Sequence, residues 1–275
     1  MNQNTRCPRV FIPRKIHNCC DFSRLCSVSP PMPSTSTISQ KVLACSRQVA
    51  SATRDLRFAS PVTHVSRPLD HAREPHEAYL KRLTRRGVSS LFLGMNPGPW
   101  GMSQTGVPFG EVGAVRSFLG LGGKVVSPQD AHPNRPIEGF SCAKSEVSGR
   151  RFWGLMQEKF GTVDAFAASH FVWNWCPLAF MEESGRNRTP DKLPAEERAA
   201  LTEPCDSCLR ELVEILNVPH VIGVGKVAEA AARRALPDAV RVTSILHPSP
   251  ASPAANRDWS GTVTQQLSQQ GVWSE

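Results

Sequence analysis

No stretch of this 275-residue chain approaches the roughly 18 uncharged apolar residues that a membrane-crossing helix needs, so a soluble protein is expected. Regular cysteine spacing is missing too. Of nine cysteines, Cys7, Cys19, Cys20, Cys26 and Cys45 crowd the start, while Cys142, Cys176, Cys205 and Cys208 lie further on. An odd count at irregular intervals excludes a secreted disulfide framework and points to a reducing compartment. Internal repeats are absent, which excludes solenoids and arrays. Acids are in short supply: 24 Asp and Glu against 32 Lys and Arg leave a net charge of +8. Such a chain suits an acidic partner, nucleic acid before an anionic membrane, unless the basic surface serves solubility alone.

The shortage of acids is sharpest at the N-terminus. There Asp21 and Asp55 face Arg6, Arg9, Arg14, Lys15, Arg24, Lys41, Arg47 and Arg54, and "VSPPMPSTSTISQ" (28–40) has no helical or strand period. Residues 1–60 therefore read as a disordered basic tail, a composition shared with organelle transit peptides. Residues 61–275 read as one folded domain.

From about residue 70, short apolar runs alternate with longer amphipathic stretches, the pattern of parallel strands joined by helices, hence α/β. Helices are expected over 74–87, 146–161, 194–217 (interrupted at Pro204), 226–236 and 257–271. Strands are expected over 89–96, 170–176, 220–225 and 241–247. Open parallel sheets bind ligands beyond the carboxyl ends of their strands, and here those ends carry Asn96, Asn174, Gly225 and His247. Each has a plain structural alternative. Asn before Pro starts turns, His fits a core or a surface, and "GVGK" lacks the full phosphate-loop spacing. Together they form a site of neutral groups with no carboxylate base.

The stretches "GMNPGPWGMSQTGVPFGEV", "SEVSGRRFWG", "NWCPLAFMEESGRNRTPDKLP", "GVGKVAE" and "LHPSPASPAANRDW" together resemble the single-strand-selective monofunctional uracil-DNA glycosylases, in order from about residue 62 to 272. The resemblance implies the three-layer uracil-glycosylase fold, a four-stranded parallel sheet between helices, and base-excision repair by hydrolysis without metal, cofactor, Schiff-base lysine or strand cleavage. It assigns water placement to Asn96 and a hydrogen bond to uracil O2 to His247. Asn174 reads the pyrimidine edge, Phe109 stacks on the base, the Met95 backbone N–H contacts it, and Gly98 leaves space near its 5-position. Uracil and 5-hydroxymethyluracil would then both be substrates.

DNA contacts are expected from Ser184, Gly185 and Arg186, from Lys226, and from Pro248, Ser249, Pro250 and Ala251; Arg188 is a further candidate. The implied partner is single-stranded or duplex DNA carrying uracil or an oxidised pyrimidine, bound by a monomer. The implied location is the nucleus, with the mitochondrion (through the basic tail) or a bacterial cytoplasm as alternatives. Two rival functions stay open: a mismatch-directed uracil/thymine glycosylase of the same fold, and a non-catalytic nucleic-acid-binding module.

This chain departs from the family in places. Four positions after His247 the family usually carries a long basic side chain that fills the gap left by the flipped base; here it is Ala251, with Arg257 able to compensate. Trp100 and Trp173 also replace residues of other kinds, and either would alter the pocket. Cys205 and Cys208 form a C-x-x-C, but with no second closely spaced pair in the folded part an iron–sulfur cluster is not expected.

Overall fold

A strand whose side chains are all apolar needs cover on both faces, and crossover helices supply it. The computed structural model describes residues 37–274. Along them run α1 (Ile38–Arg54), β1 (Val62–Ser66), α2 (Pro68–His71), α3 (Arg73–Leu83), β2 (Ser90–Gly94), α4 (Met102–Thr105), α5 (Val112–Ser117), α6 (Val147–Phe160) and α7 (Val163–Ser169). There follow β3 (His170–Asn174), β4 (Ala179–Glu182), β5 (Asn187–Arg188), α8 (Ala195–Leu216), β6 (His220–Val224), α9 (Lys226–Ala235), β7 (Arg241–Ile245) and α10 (Pro253–Gln269). Every residue of β2, β3 and β6 is buried, whereas β7, on the edge, is partly exposed.

These four strands form one parallel sheet in the order β3-β2-β6-β7. The expected α/β architecture is present. Register aligns the carboxyl ends: Gly94 lies opposite Asn174, Leu93 opposite Gly223, and Val224 opposite Ile245. β2 leads towards β3 on one side and β6 towards β7 on the other. Their connections part between β2 and β6, which leaves a crevice at the switch point.

Other features depart from the sequence reading. β1, β4 and β5 form a small antiparallel sheet that no period announced, because β5 spans only two residues. α3 stops at Leu83, with Thr84 extended after it, rather than at Gly87. α10 begins at Pro253, capped by the Ser252 hydroxyl, and kinks at Asp258. α8 runs unbroken through Pro204. The missing proline N–H weakens one turn, but Leu201, Cys205, Cys208, Leu209 and Leu212 keep a continuous buried stripe along the helix.

The tail boundary also moves. Residues 38–54 form α1, with a reciprocal cap between Thr37 and Gln40. Its buried positions include Val42, Cys45, Val49 and Thr53, a helical stripe that the Ser- and Thr-rich surroundings disguised. The helix packs on α8 and α3. Cys45 Sγ sits 2.9 Å from Cys208 Sγ, and Ser46 Oγ lies 2.8 Å from His76 Nε2. The folded domain thus reaches back to Thr37; residues 1–36 lie outside the described part. Cys205 and Cys208 are both buried in α8, and among the described residues no group of three or more His, Cys, Asp or Glu is arranged to hold a metal ion.

Val42→Asp tests whether α1 belongs to the core. An unpaired carboxylate there costs about 3 kcal/mol, lowering the melting temperature by roughly 6–12 °C for a domain of this size. Calorimetry showing no change would mean that α1 carries none of the stability.

Candidate active site

The carboxyl edge of the sheet opens into a cavity of about 430 Å³ lined by Asn96, Phe109, Glu146, Asn174, Asn187 and His247, with Met95, Gly98 and Trp100 beside them. Residues far apart in sequence meet there because the strand ends are level. The pairing of β2 with β3 continues past Gly94, as Cys176 N–H donates to the Met95 carbonyl at 2.8 Å. Asn96 therefore leaves the sheet at a fixed height. Its Nδ2 donates to the Leu178 carbonyl over a long 3.4 Å, which leaves Oδ1 as the free acceptor of the amide.

The turn after Asn96 is held at three successive carbonyls. Asn187 Nδ2 donates to Pro97 O at 3.2 Å, Ser103 N–H to Gly98 O at 3.1 Å, and Gln104 Nε2 to Pro99 O at 2.9 Å. Two prolines restrict the same segment. Asn96 thus sits at the root of a turn with little freedom. Gly98 lines the cavity, and on the side where it lacks a β-carbon the Glu146 carboxyl lies against it.

Phe109 forms an aromatic wall. Its φ of +54° is in the left-handed region, a strained conformation for a bulky side chain and one that clusters at functional sites. The surroundings hold it there: Trp153 Nε1 donates to Pro108 O at 3.1 Å, and Thr105 Oγ1 donates to Gly110 O at 2.8 Å. The ring stacks on Phe152 with centroids 4.7 Å apart and planes 18° from parallel.

Asn174 ends β3 with its side chain across Gly94. A methyl group on Gly94 would overlap Asn174 Oδ1 and reach Phe109 Cε2 at 2.9 Å. Asn174 Nδ2 donates to Met102 Sδ at 3.1 Å, a weak acceptor that a better one displaces. Behind it, Trp175 Nε1 donates to the buried Asp206 carboxylate at 2.7 Å, and Arg234 grips the same carboxylate with two bonds of 2.8 and 2.7 Å. The end of β3 is therefore anchored from below. Trp173 faces away, packed on His76 at 5.9 Å, and does not line the cavity, whereas Trp100 does.

His247 follows β7. Ser249 N–H donates to its Nδ1 at 3.1 Å, so the neutral ring carries its proton on Nε2 and presents a donor there. Burial holds its pKa below the usual imidazole range, so the neutral form persists to lower pH than for an exposed histidine. Gly225 (φ +93°) runs beneath it, and a β-carbon there would lie 3.1 Å from His247 Cβ. Arg151 ties the following loop to α6, donating to Pro248 O at 3.1 Å and to Asn256 Oδ1 at 3.0 Å.

The expected DNA contacts divide. Ser249 and Pro250 line the cavity, Pro248 is buried beside them, and Ala251 is exposed at the loop tip. Ser184, Gly185 and Arg186 form the β4–β5 turn, with Arg186 exposed. Lys226 already pairs with Glu229 at 2.9 Å and reaches Ser244 Oγ at 3.2 Å. The Glu229 carboxyl is held down at about 2, first by the Ser244 hydroxyl and then by Lys226 and Arg233. Arg188 is likewise occupied, by Glu182 at 2.8 Å.

Sequence reasoning missed Glu146, Asn187, Arg151 and the two cations set on the Trp100 ring, Arg135 at 5.1 Å and Lys144 at 5.9 Å. Glu146 and Arg151 lie inside the "SEVSGRRFWG" stretch, but no spacing rule says what they touch.

Residues 82–267 match the family model of the uracil DNA glycosylase superfamily. The single-strand selective monofunctional uracil DNA glycosylases of Bos taurus and Mus musculus are each 45% identical over 88% of this chain, covering 90% and 88% of their own lengths. The crystal structure of wild-type Pedobacter heparinus SMUG2 superposes with a TM-score of 0.59 over 82% of this chain and 97% of that one; at 16% identity it shows the fold alone. The chain belongs to the uracil DNA glycosylase superfamily and, within it, to the single-strand selective monofunctional uracil DNA glycosylases.

Proposed function

We propose that this uracil-DNA glycosylase hydrolyses the N-glycosidic bond of uracil and of 5-substituted uracils such as 5-hydroxymethyluracil, in single-stranded and duplex DNA, using Asn96 and His247. The observation that carries the reading is the meeting of Asn96, Phe109, Asn174 and His247 on one cavity. A target base leaves the stack to reach such a pocket. Phe109 stacks on it, a contact worth about 1–3 kcal/mol. Asn174 accepts from N3–H and donates to O4, a pattern that cytosine reverses. A 5-hydroxymethyl group would meet the polar wall that Glu146 makes beside Gly98. Ser249 and Pro250 on the cavity wall, and the exposed Arg186 of the β4–β5 turn, suit the strand backbone.

In the chemical step the glycosidic electron pair departs with the base, leaving an oxocarbenium-like sugar and a uracil anion. Nε2–H of His247 donates to uracil O2, a bond that strengthens as negative charge grows there. Water adds to the sugar carbon and loses a proton to solvent, giving an abasic site and free uracil. Asn96 Oδ1 holds that water in line. Positioning replaces basicity.

Three outcomes test this reading. Asn96→Ala should fold and bind uracil-containing DNA but lose about 100-fold or more in single-turnover release; near-normal turnover would overturn the assignment. His247→Leu should slow the single-turnover rate by about 100- to 1000-fold with binding little altered, and an unchanged rate would move the donor elsewhere. Ala251→Arg, at the exposed loop tip, should raise the duplex to single-strand activity ratio by about 10-fold, equivalent to about 1.4 kcal/mol of the flipping cost. The ratio is compared at several salt concentrations, because added positive charge attracts all phosphate. A constant ratio would mean that Ala251 is not where a wedge is missing.

A further inference from the structure

Glu146 is the only acid among the described residues lining the cavity, and the bond-breaking step above does not use it. It immediately precedes α6, where an acidic side chain commonly caps the helix, yet its carboxyl makes no such bond. It turns instead to the segment after Asn96. Oε2 accepts from Trp100 N–H at 3.2 Å. A methyl group on Gly98 would overlap Oε2, and one on Gly101 would come within 2.8 Å of the carboxyl carbon. The carboxyl therefore fills the space left by two glycines on one face of the Asn96–Gly101 turn, while Asn187 and Gln104 hold the carbonyls of the same turn.

We propose that Glu146 is a positioning residue for excision: its side chain clamps the turn at Gly98, Trp100 and Gly101 and so fixes the amide of Asn96. The inference rests on the reading of Asn96 as the water-holding residue. It has a second consequence, because an ionised carboxylate at this wall would repel the departing uracil anion and a neutral one would not. Loss of surrounding water, opposed by the backbone donors, pushes the Glu146 pKa up to about 7, and Glu111 adds to the rise. The other groups around it are few. The Asn96–Gly101 turn carries no titratable side chain, and burial lowers the pKa of His247 in the loop after β7, which favours its neutral form. Arg151 on α6 is committed to Pro248 and Asn256, Arg150 to Ser145 Oγ at 2.9 Å, and Lys144 lies at the Trp100 ring. A raised carboxyl pKa means the neutral form prevails below about 7, so this group slows excision as pH rises through that value.

The test compares the full-length protein with Glu146→Ala and Glu146→Gln. Single-turnover uracil release from a single-stranded oligonucleotide is followed between about pH 5.5 and 9. Binding to the same sequence carrying a non-cleavable 2′-fluoro-deoxyuridine, and the melting temperature, are measured alongside. Glu146→Ala should lose about 30- to 100-fold in release, the scale of a misplacement of about 1 Å, with affinity within about threefold. Glu146→Gln keeps the shape and the acceptor without the charge; it should restore most of that loss and flatten the decline through about 7. An active wild type matched by Glu146→Ala overturns this inference alone. So does equal slowing of both variants accompanied by a lower melting temperature, which would mark a purely structural role. A wild type that releases no uracil overturns the underlying function with it.

Discussion

Gly94 and Asn174 stand opposite each other at the ends of two parallel strands, and the cavity depends on what Gly94 lacks. Any β-carbon there would run into the Asn174 amide and the Phe109 ring. Because side chains on paired parallel strands share a face at the same register, a larger residue at 94 would push both out of place. The strand register, Asn174 and Phe109, whose backbone lies in the left-handed region, therefore meet in one constraint at Gly94.

On the proposed mechanism, a neutral amide just beyond β2 suits the charges that form during reaction. The sugar becomes positive and the base negative at nearly the same place, so a permanent charge of either sign would favour one fragment and oppose the other. Asn96, Asn174 and a histidine whose neutral form burial favours offer directed dipoles instead. Such groups work through fixed orientation, which explains the number of bonds spent on orientation: Ser249 on His247, Asn187 on the turn after Asn96, Asp206 and Arg234 beneath the end of β3.

The parallel sheet was legible in the sequence because β2, β3 and β6 carry short apolar runs at their centres, and the candidate site was legible because polar residues stand at or just past the ends of those runs. What stayed hidden depended on contacts between distant segments. α1 carries a helical stripe, but its partner α8 is about 160 positions away, as Cys45 and Cys208 show, and the surrounding serines dominated the local composition. β5 is too short to have a period. Pro204 reads as a breaker locally, yet burial along α8 overrides it. The neighbour of Gly98 in space, Glu146, is likewise some fifty positions on. A sequence shows that a β-carbon is missing; only the fold shows what occupies the gap.

The most direct test of this account is uracil release by Gly94→Ala under single-turnover conditions. The amide tip of Asn174 can swing aside, so the variant should keep a melting temperature close to that of the parent while the pocket is lost. A fall of about 100-fold or more in release, with the fold intact, is the expected result. A Gly94→Ala protein that excises uracil at nearly the parental rate would contradict the claim that the missing β-carbon at Gly94 shapes the site.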